Sequence, residues 1–193
     1  LGLTFSYEWN SSNQYGFVRK AKLKNNNSHS IKIELIDGLQ NILPYGVGED
    51  LQKQSSNLVD AYKKTELNAT TGMGIYSLSA IIVDRAEPSE ALKANIVWST
   101  GLKGAKRLLS STQLEQFKQG HEVIEETDIR AKRGAYLLSA QIELTTGGEE
   151  KWNIIADVNK SISAMVALEE KILDPTIDDL IDHDINAGTQ ELL

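Results

Sequence analysis

For much of its length this chain alternates apolar and polar residues one by one, and a period of two commits it to strands before anything else is considered. Leu3, Phe5, Tyr7 and Trp9 fall on one face, with Thr4, Ser6, Glu8 and Asn10 on the other. Phe17, Ala21 and Leu23 keep the phase up to a polar turn at Asn25-Asn26-Asn27-Ser28. Ile31, Ile33 and Leu35 then alternate with Lys32 and Glu34, which predicts a first long hairpin across that turn. A second is predicted from Ile75–Val83 and Ala91–Ser99, joined by Asp84–Glu90 with Pro88 in the connection. Its faces are Tyr76, Leu78, Ala80 and Ile82 on one strand, and Leu92, Ala94, Ile96 and Trp98 on the other. A third runs through Ala135–Leu144, turns at Thr145-Thr146-Gly147-Gly148, and returns through Trp152–Val158. These patterns predict a mainly β chain, an antiparallel super-β-sandwich over residues 1–159, with a few helices. A helical linker or tail is expected over residues 160–193.

Helical spacing interrupts the alternation in three places. Residues 48–67 carry Leu51, Ser55, Leu58, Val59 and Tyr62 at helical intervals behind an acidic Glu49-Asp50 start. Residues 110–118 suggest a short helix. The tail holds two more: one with the stripe Ile162, Met165, Val166, Ile172 and Leu173, and one restarting at Asp174-Pro175 with a capping-box-like Thr176-x-x-Asp179. The last stripe is Ile177, Leu180, Ile181, Ile185 and Leu192, and no stop signal follows it. The expectation is that the natural protein continues into a further domain.

Charge and residue usage exclude several functions. A formal net charge of −7 argues against nucleic acid as a partner, because neutralising phosphates needs a basic surface. The short basic run Lys103, Lys106, Arg107 reads as solvated surface. So do Arg130, Lys132 and Arg133, together with the acidic patch Glu122, Glu125, Glu126 and Asp128. No apolar run nears the roughly 20 residues that span a bilayer, so no membrane partner is expected. The predicted state is a soluble chain of the bacterial cytoplasm or periplasm. Without cysteine there is no disulfide, thiolate nucleophile or Cys-based zinc site. Gly46-Val47-Gly48 and Gly72-Met73-Gly74 lack the strand-to-helix setting of a phosphate loop, and no cofactor is expected.

Candidate chemistry is sparse. His183 lies among Asp178, Asp179, Asp182 and Asp184, a composition that can hold a metal, but a solvated acidic helix face is the simpler reading and no metal site is assigned. Glu8, Glu34, Asp37, Glu143 and Asp157 are the carboxylates available for paired acid chemistry. Glu8, Glu34 and Glu143 sit on polar strand faces, and Asp37-Gly38 reads as turn chemistry closing a strand, so no catalytic residue is assigned. Aromatic rings can stack on sugars. Trp9, Trp98 and Trp152 are in phase with apolar neighbours, which assigns them first to the core and secondarily to a carbohydrate platform. Tyr15 and Tyr45 lie near turns and complete the candidate carbohydrate-binding set.

Three stretches together resemble a known architecture: Tyr15-Gly16-Phe17-Val18-Arg19, Ile33-Glu34-Leu35-Ile36-Asp37-Gly38 followed by Leu43-Pro44, and Trp152-Asn153-Ile154-Ile155-Ala156-Asp157 leading into paired helices. They resemble the N-terminal super-sandwich domain of large carbohydrate-active enzymes, cellobiose phosphorylase-like, with the galactose mutarotase-like fold. In that family the sandwich precedes helices leading to an α/α barrel that carries the catalytic acid. The resemblance therefore implies a non-catalytic module of a glycoside hydrolase or phosphorylase. Its implied partners are the downstream catalytic domain of the same polypeptide, an oligosaccharide, and a second copy in a homodimer. Mutarotases of this fold use a histidine and a glutamate on a concave face, and none of His29, His121 and His183 lies on a predicted strand. A free-standing sugar-active enzyme of epimerase, mutarotase or lyase type, and a structural protein-interaction sandwich, are the rival readings.

Overall fold

A computed structural model describes residues 2–80 and 92–191. Its elements in chain order are β1 (Leu3–Ser12), β2 (Gly16–Asn25), β3 (Ile31–Ile42), α1 (Glu49–Gln54), α2 (Ser56–Tyr62), β4 (Lys63–Leu67) and β5 (Gly74–Leu78). There follow β6 (Lys93–Thr100), β7 (Lys106–Leu108), α3 (Leu114–Lys118), β8 (Asp128–Arg130), β9 (Gly134–Leu144), β10 (Glu149–Ser161), α4 (Ile162–Ile172) and α5 (Ile177–Glu191). All strand pairs are antiparallel. They make a seven-stranded sheet in the order β1-β2-β10-β6-β5-β4-β8 and a three-stranded sheet in the order β3-β9-β7. The predicted mainly β, two-sheet architecture with a helical C-terminus is what forms.

The large sheet carries an apolar layer on each face. Between the sheets lie Ala21, Leu23, Tyr76, Tyr136, Leu138, Trp152 and Ile154. On its other face, Tyr15, Val18, Ile96, Trp98 and Ile155 pack against Ile177, Ile181 and Ile185 of α5, with Met165, Leu168 and Ile172 of α4 adding to the layer. The spacing of Ile177, Ile181 and Ile185 puts them on one helical stripe. Burying each is worth about 1.5–3 kcal/mol as an upper estimate. The acidic run that sequence reads as a solvated face instead ties this helix down. Asp178 accepts from Thr100 on β6 and from Asn153 Nδ2 on β10 at 2.9 Å. Asp182 pairs with Lys20 on β2 at 2.7 Å. Asp184 accepts from the Ser12 hydroxyl and, at 3.1 Å, from both the backbone and side-chain nitrogens of Gln14. His183 points to solvent.

Strand partners differ from the expectation. The first and third predicted hairpins do not form: β2 pairs with β1 and β10, while β3 pairs with β9 in the other sheet. Alternation fixes which way a strand faces but leaves its neighbour open. The Asn-rich turn and the Thr-Thr-Gly-Gly turn are corners at which the chain changes sheets. Asn25, fully buried, holds the two corners together. Its Nδ2 donates to the carbonyls of His29 (2.9 Å), Leu144 (3.2 Å) and Thr145 (3.0 Å), and its backbone N–H donates to Gly148 O at 2.9 Å. The strands of the second predicted hairpin do pair, through Gly74↔Val97, Ile75↔Ile96 and Tyr76↔Asn95. Ile82, Val83, the connection at 84–90 and Ala91 lie outside the described residues, as does Leu192.

Three local corrections follow. The helix expected over 48–67 ends at Tyr62, and Lys63–Leu67 is strand β4, hydrogen-bonded between β5 and β8. Asp37-Gly38 does not close a strand, because β3 continues to Ile42. Gly38 is there because β9 crosses too close for a side chain: a Cβ would stand 2.0 Å from Tyr136 O. Glu126, expected on the surface, is buried and accepts from the backbone N–H groups of Leu109 (2.7 Å) and Ser110 (2.8 Å) and from Gln113 Nε2 (2.8 Å).

Candidate functional site

Seven strands cannot be covered by three, and the uncovered edge of the large sheet is aromatic. In β1, Phe5, Tyr7 and Trp9 face the same side as Leu23, Ala21 and Arg19, their register partners on β2. That is the side toward the small sheet, but β3 is its last strand and β1 projects beyond it. The apolar face of β1 therefore meets water: Phe5 is 46%, Tyr7 58%, Trp9 52% and nearby Phe17 53% exposed. Alternate residues on a strand stand about 6.6–6.8 Å apart, so the rings form an open row rather than a plug. Phe5 and Tyr7 have centroids 6.0 Å apart at 37°. Phe5 also stacks on Trp152 at 5.9 Å and 25°, which couples the row to the core.

A buried ion pair stands where floor meets wall. Arg19 rises from β2 with its guanidinium 4.6 Å from the Tyr7 ring centre and 5.8 Å from that of Phe5. It then reaches the other sheet and forms a fork with Asp37 of β3, at 2.6 and 2.9 Å. Trp152 Nε1 donates to the same carboxylate at 2.7 Å. The planar guanidinium can meet both carboxylate oxygens while its face lies on a ring, which an ammonium cannot do. Beside this pair a groove of about 300 Å³ runs between Leu3, Phe5 and the edge of β3 at Ile33–Asp37. The trough so formed has an aromatic floor, an apolar wall, and one polar anchor.

The five aromatic residues picked out from the sequence are dispersed. Trp9 is in the trough, exposed where its strand phase assigned it to the core, because the facing sheet stops short of it. Trp152 projects from the same face two strands further in and is buried at the inner side of the row. Trp98 and Tyr15 are buried together under the helical tail, with ring centroids 6.2 Å apart, so solvent reaches neither face. Tyr15 looked free because it lies in a turn; the docking of α5 over that turn closes it off. Its phenol is pushed up from the ordinary value by burial and then by the charges of Asp184 and Asp174. Tyr45, on the loop after β3, is partly exposed with Lys93 Nζ 5.3 Å from its ring centre. Sequence reasoning did not single out Phe5, Tyr7, Phe17 or Arg19 for the site, and it named Asp37 as a carboxylate only to set it aside as turn chemistry. The missing signal was sheet width, which no local pattern encodes.

A second concavity of about 500 Å³ lies over the outer face of the small sheet. It brings Glu34 and Gln141 of that sheet together with His121, Glu122 and Phe117 from α3 and the loop after it. Glu34 accepts from Gln141 Nε2 at 3.3 Å, and Glu122 is drawn below the usual carboxylate range by its hydrogen bond with Lys106 and then by the lysine charge. Among the described residues no group of three or more His, Asp or Glu side chains is placed to hold a metal ion, and no helix is long and apolar enough to cross a membrane. No family model and no characterised protein matches this chain.

Proposed function

We propose that this chain is a non-catalytic β-sandwich module of a carbohydrate-active enzyme, a glycoside hydrolase or phosphorylase, and that its β1 trough contacts an oligosaccharide beside a catalytic domain of the same polypeptide. The carrying observation is the solvent-facing row Phe5, Tyr7, Trp9 and Phe17. A soluble domain seldom leaves such rings in water unless something covers them. Sugar rings offer flat C–H faces that stack on aromatic faces, and hydroxyls that hydrogen-bond to charged groups held in place. The Arg19–Asp37 fork is such a group, fixed by burial and by Trp152. The resemblance to cellobiose phosphorylase-like sandwiches points to β-linked glucosides as the first ligands to test.

Tryptophan fluorescence offers a direct test. Of three tryptophans, Trp98 and Trp152 are buried and Trp9 is exposed, so a change in emission on adding ligand reports on the trough. Cello-oligosaccharides should shift or quench Trp9 emission saturably. Tyr7→Ala should weaken that binding by about 1 kcal/mol, roughly fivefold, without loss of fold. Emission unchanged up to millimolar cello-oligosaccharide would count against sugar contact at this trough.

The second concavity supports a rival reading as a sugar-active enzyme of mutarotase type, because it places His121 and Glu34 in one pocket. NMR exchange between sugar anomers tests it: catalysed exchange abolished by His121→Ala would favour it over the first reading.

A further inference from the structure

We propose that two copies of this chain pair antiparallel through the free edges of β1, centred on Tyr7, so that their large sheets join and their two aromatic rows become one trough floor. This pairing needs no sugar and can hold or fail independently of the ligand reading.

The first ground is that β1 is an unguarded edge. It is the terminal strand of the large sheet, ten residues long, and runs against β2 from Leu3↔Asn25 to Ser12↔Gly16 without a register shift. Among the described residues its outer backbone groups thus have no strand partner, on a regular strand. Natural edges are blunted by shortness, by lysine or proline, by inward charges or by bulges. The opposite edge of the same sheet obeys this: β8 has three residues, two of them charged. The free edge of β3 carries Lys32 and Glu34 and is broken by a shift between Gln40 and Ile42. Strand β1 has no proline, lysine or bulge, and Glu8 is its one charge.

The second ground is that its sequence is self-complementary, and one register combines ring pairing with the longest overlap. Directly opposed residues lie on the same face of a sheet, so a two-fold axis must set a residue opposite its own copy to keep rings with rings. Centring on Tyr7 sets Phe5 opposite Trp9 of the second copy, Ser6 opposite Glu8, and Thr4 opposite Asn10. Aromatic meets aromatic on one face, and the other face carries no like charges in opposition. Centring on Glu8 would oppose two carboxylates. Centring on Phe5 would leave Trp9 unpaired, and centring on Trp9 would leave Phe5 so. Centring on Ser6 also pairs rings, Phe5 opposite Tyr7, but it sets Trp9 against Leu3 and opposes only the seven residues Leu3–Trp9, whereas centring on Tyr7 opposes the nine residues Leu3–Ser11.

The third ground is steric. On the trough side the small sheet stops at β3, so joining at β1 brings the two small sheets into no collision; on the opposite face α5 reaches β1 at Ser12, the end of the strand and not its centre. The same two-fold joining at the edge of β3 would drive the projecting β1 strands of the two copies into each other. Joined at β1, the two small sheets become the walls of one wider trough, with Phe5, Tyr7 and Trp9 of both copies along its floor.

Sedimentation equilibrium of the 193-residue chain without sugar tests the pairing. A concentration-dependent dimer is expected in the micromolar range. Tyr7→Lys, which sets two ammonium groups against each other at a position already exposed to solvent, should give a monomer with unchanged circular dichroism. Because the chain has no cysteine, Tyr7→Cys gives a single thiol at the two-fold, where opposed Cβ atoms lie about 4.5–5.5 Å apart and oxidation can link them. Mild oxidation should produce a covalent dimer from Tyr7→Cys and little from Thr4→Cys, which faces Asn10. A wild-type chain that stays monomeric, a dimer that survives Tyr7→Lys, or equal cross-linking of the two cysteine variants would each overturn the proposal.

Discussion

Replacing Asp37 with alanine probes the joint on which both the trough and the sandwich depend. The substitution leaves Arg19, whose side chain is only 8% exposed, without its carboxylate, and removes the acceptor of the Trp152 indole N–H. Breaking one side of a buried pair costs about 3–5 kcal/mol, because the remaining charge stays buried and uncompensated. An orphaned buried donor costs about 1–3 kcal/mol more. The trough is open beside the pair, so water can reach part of the guanidinium, and a net loss of about 3–4 kcal/mol is the expectation. For a chain of this length that is a fall of about 6–16 °C in Tm. Urea unfolding followed by circular dichroism gives the free energy. The double variant Arg19→Met/Asp37→Leu should recover most of the loss, since an apolar pair of similar volume replaces the charges without desolvation cost. A single-variant cost below about 1 kcal/mol, or a double variant no better than Asp37→Ala, would refute the view that this pair is held by burial.

Three other outcomes follow from the same structure. Asn25→Ala removes the donor shared by three carbonyls at the two corners and should cost about 2–3 kcal/mol by urea unfolding, with native strand content retained at low urea. Gly38→Ala puts a methyl group 2.0 Å from Tyr136 O, so β3 and β9 must separate there; a loss of about 2–4 kcal/mol is expected in the same assay, and a neutral result would show that the crossing relaxes freely. Asp184 is held below the usual carboxylate range chiefly by the Ser12 hydroxyl and further by Gln14. Its folded-state value lies below its unfolded one, so its stabilisation is full above the unfolded value of about 3.9 and is lost as pH falls through the folded value. Acid should therefore loosen α5 from the sheet, and Ser12→Ala should flatten the fall of the urea midpoint below about pH 4.

Much of the fold was legible because local chemistry settles it. The alternation in Leu3–Trp9, Ile31–Leu35 and Tyr136–Leu144 specifies strands wherever those segments end up, and Ile177, Ile181 and Ile185 specify a helix with one face to bury. Partner choice was not legible. A turn rich in Asn or Gly serves a hairpin or a corner equally well, and the difference lies in Asn25, whose three acceptors come from segments far apart in the chain. The acidic run on α5 was misread for a similar reason. Carboxylates on a helix look solvated until the strands that carry Ser12, Lys20, Thr100 and Asn153 are brought beneath them.

By itself, then, the sequence determined that strands would dominate, that they would run antiparallel in two layers, and that the last two segments would be helices. It did so because side-chain direction along a strand or helix depends only on near neighbours. Which aromatic residues face water was decided by tertiary structure alone. Trp9, Trp98 and Trp152 have the same local phase, yet the first is exposed, the second lies under α5, and the third is buried over Asp37. The cause is a mismatch of sheet widths, seven strands against three, which leaves β1 without a roof and turns an apolar face written for a core into a surface that calls for a partner.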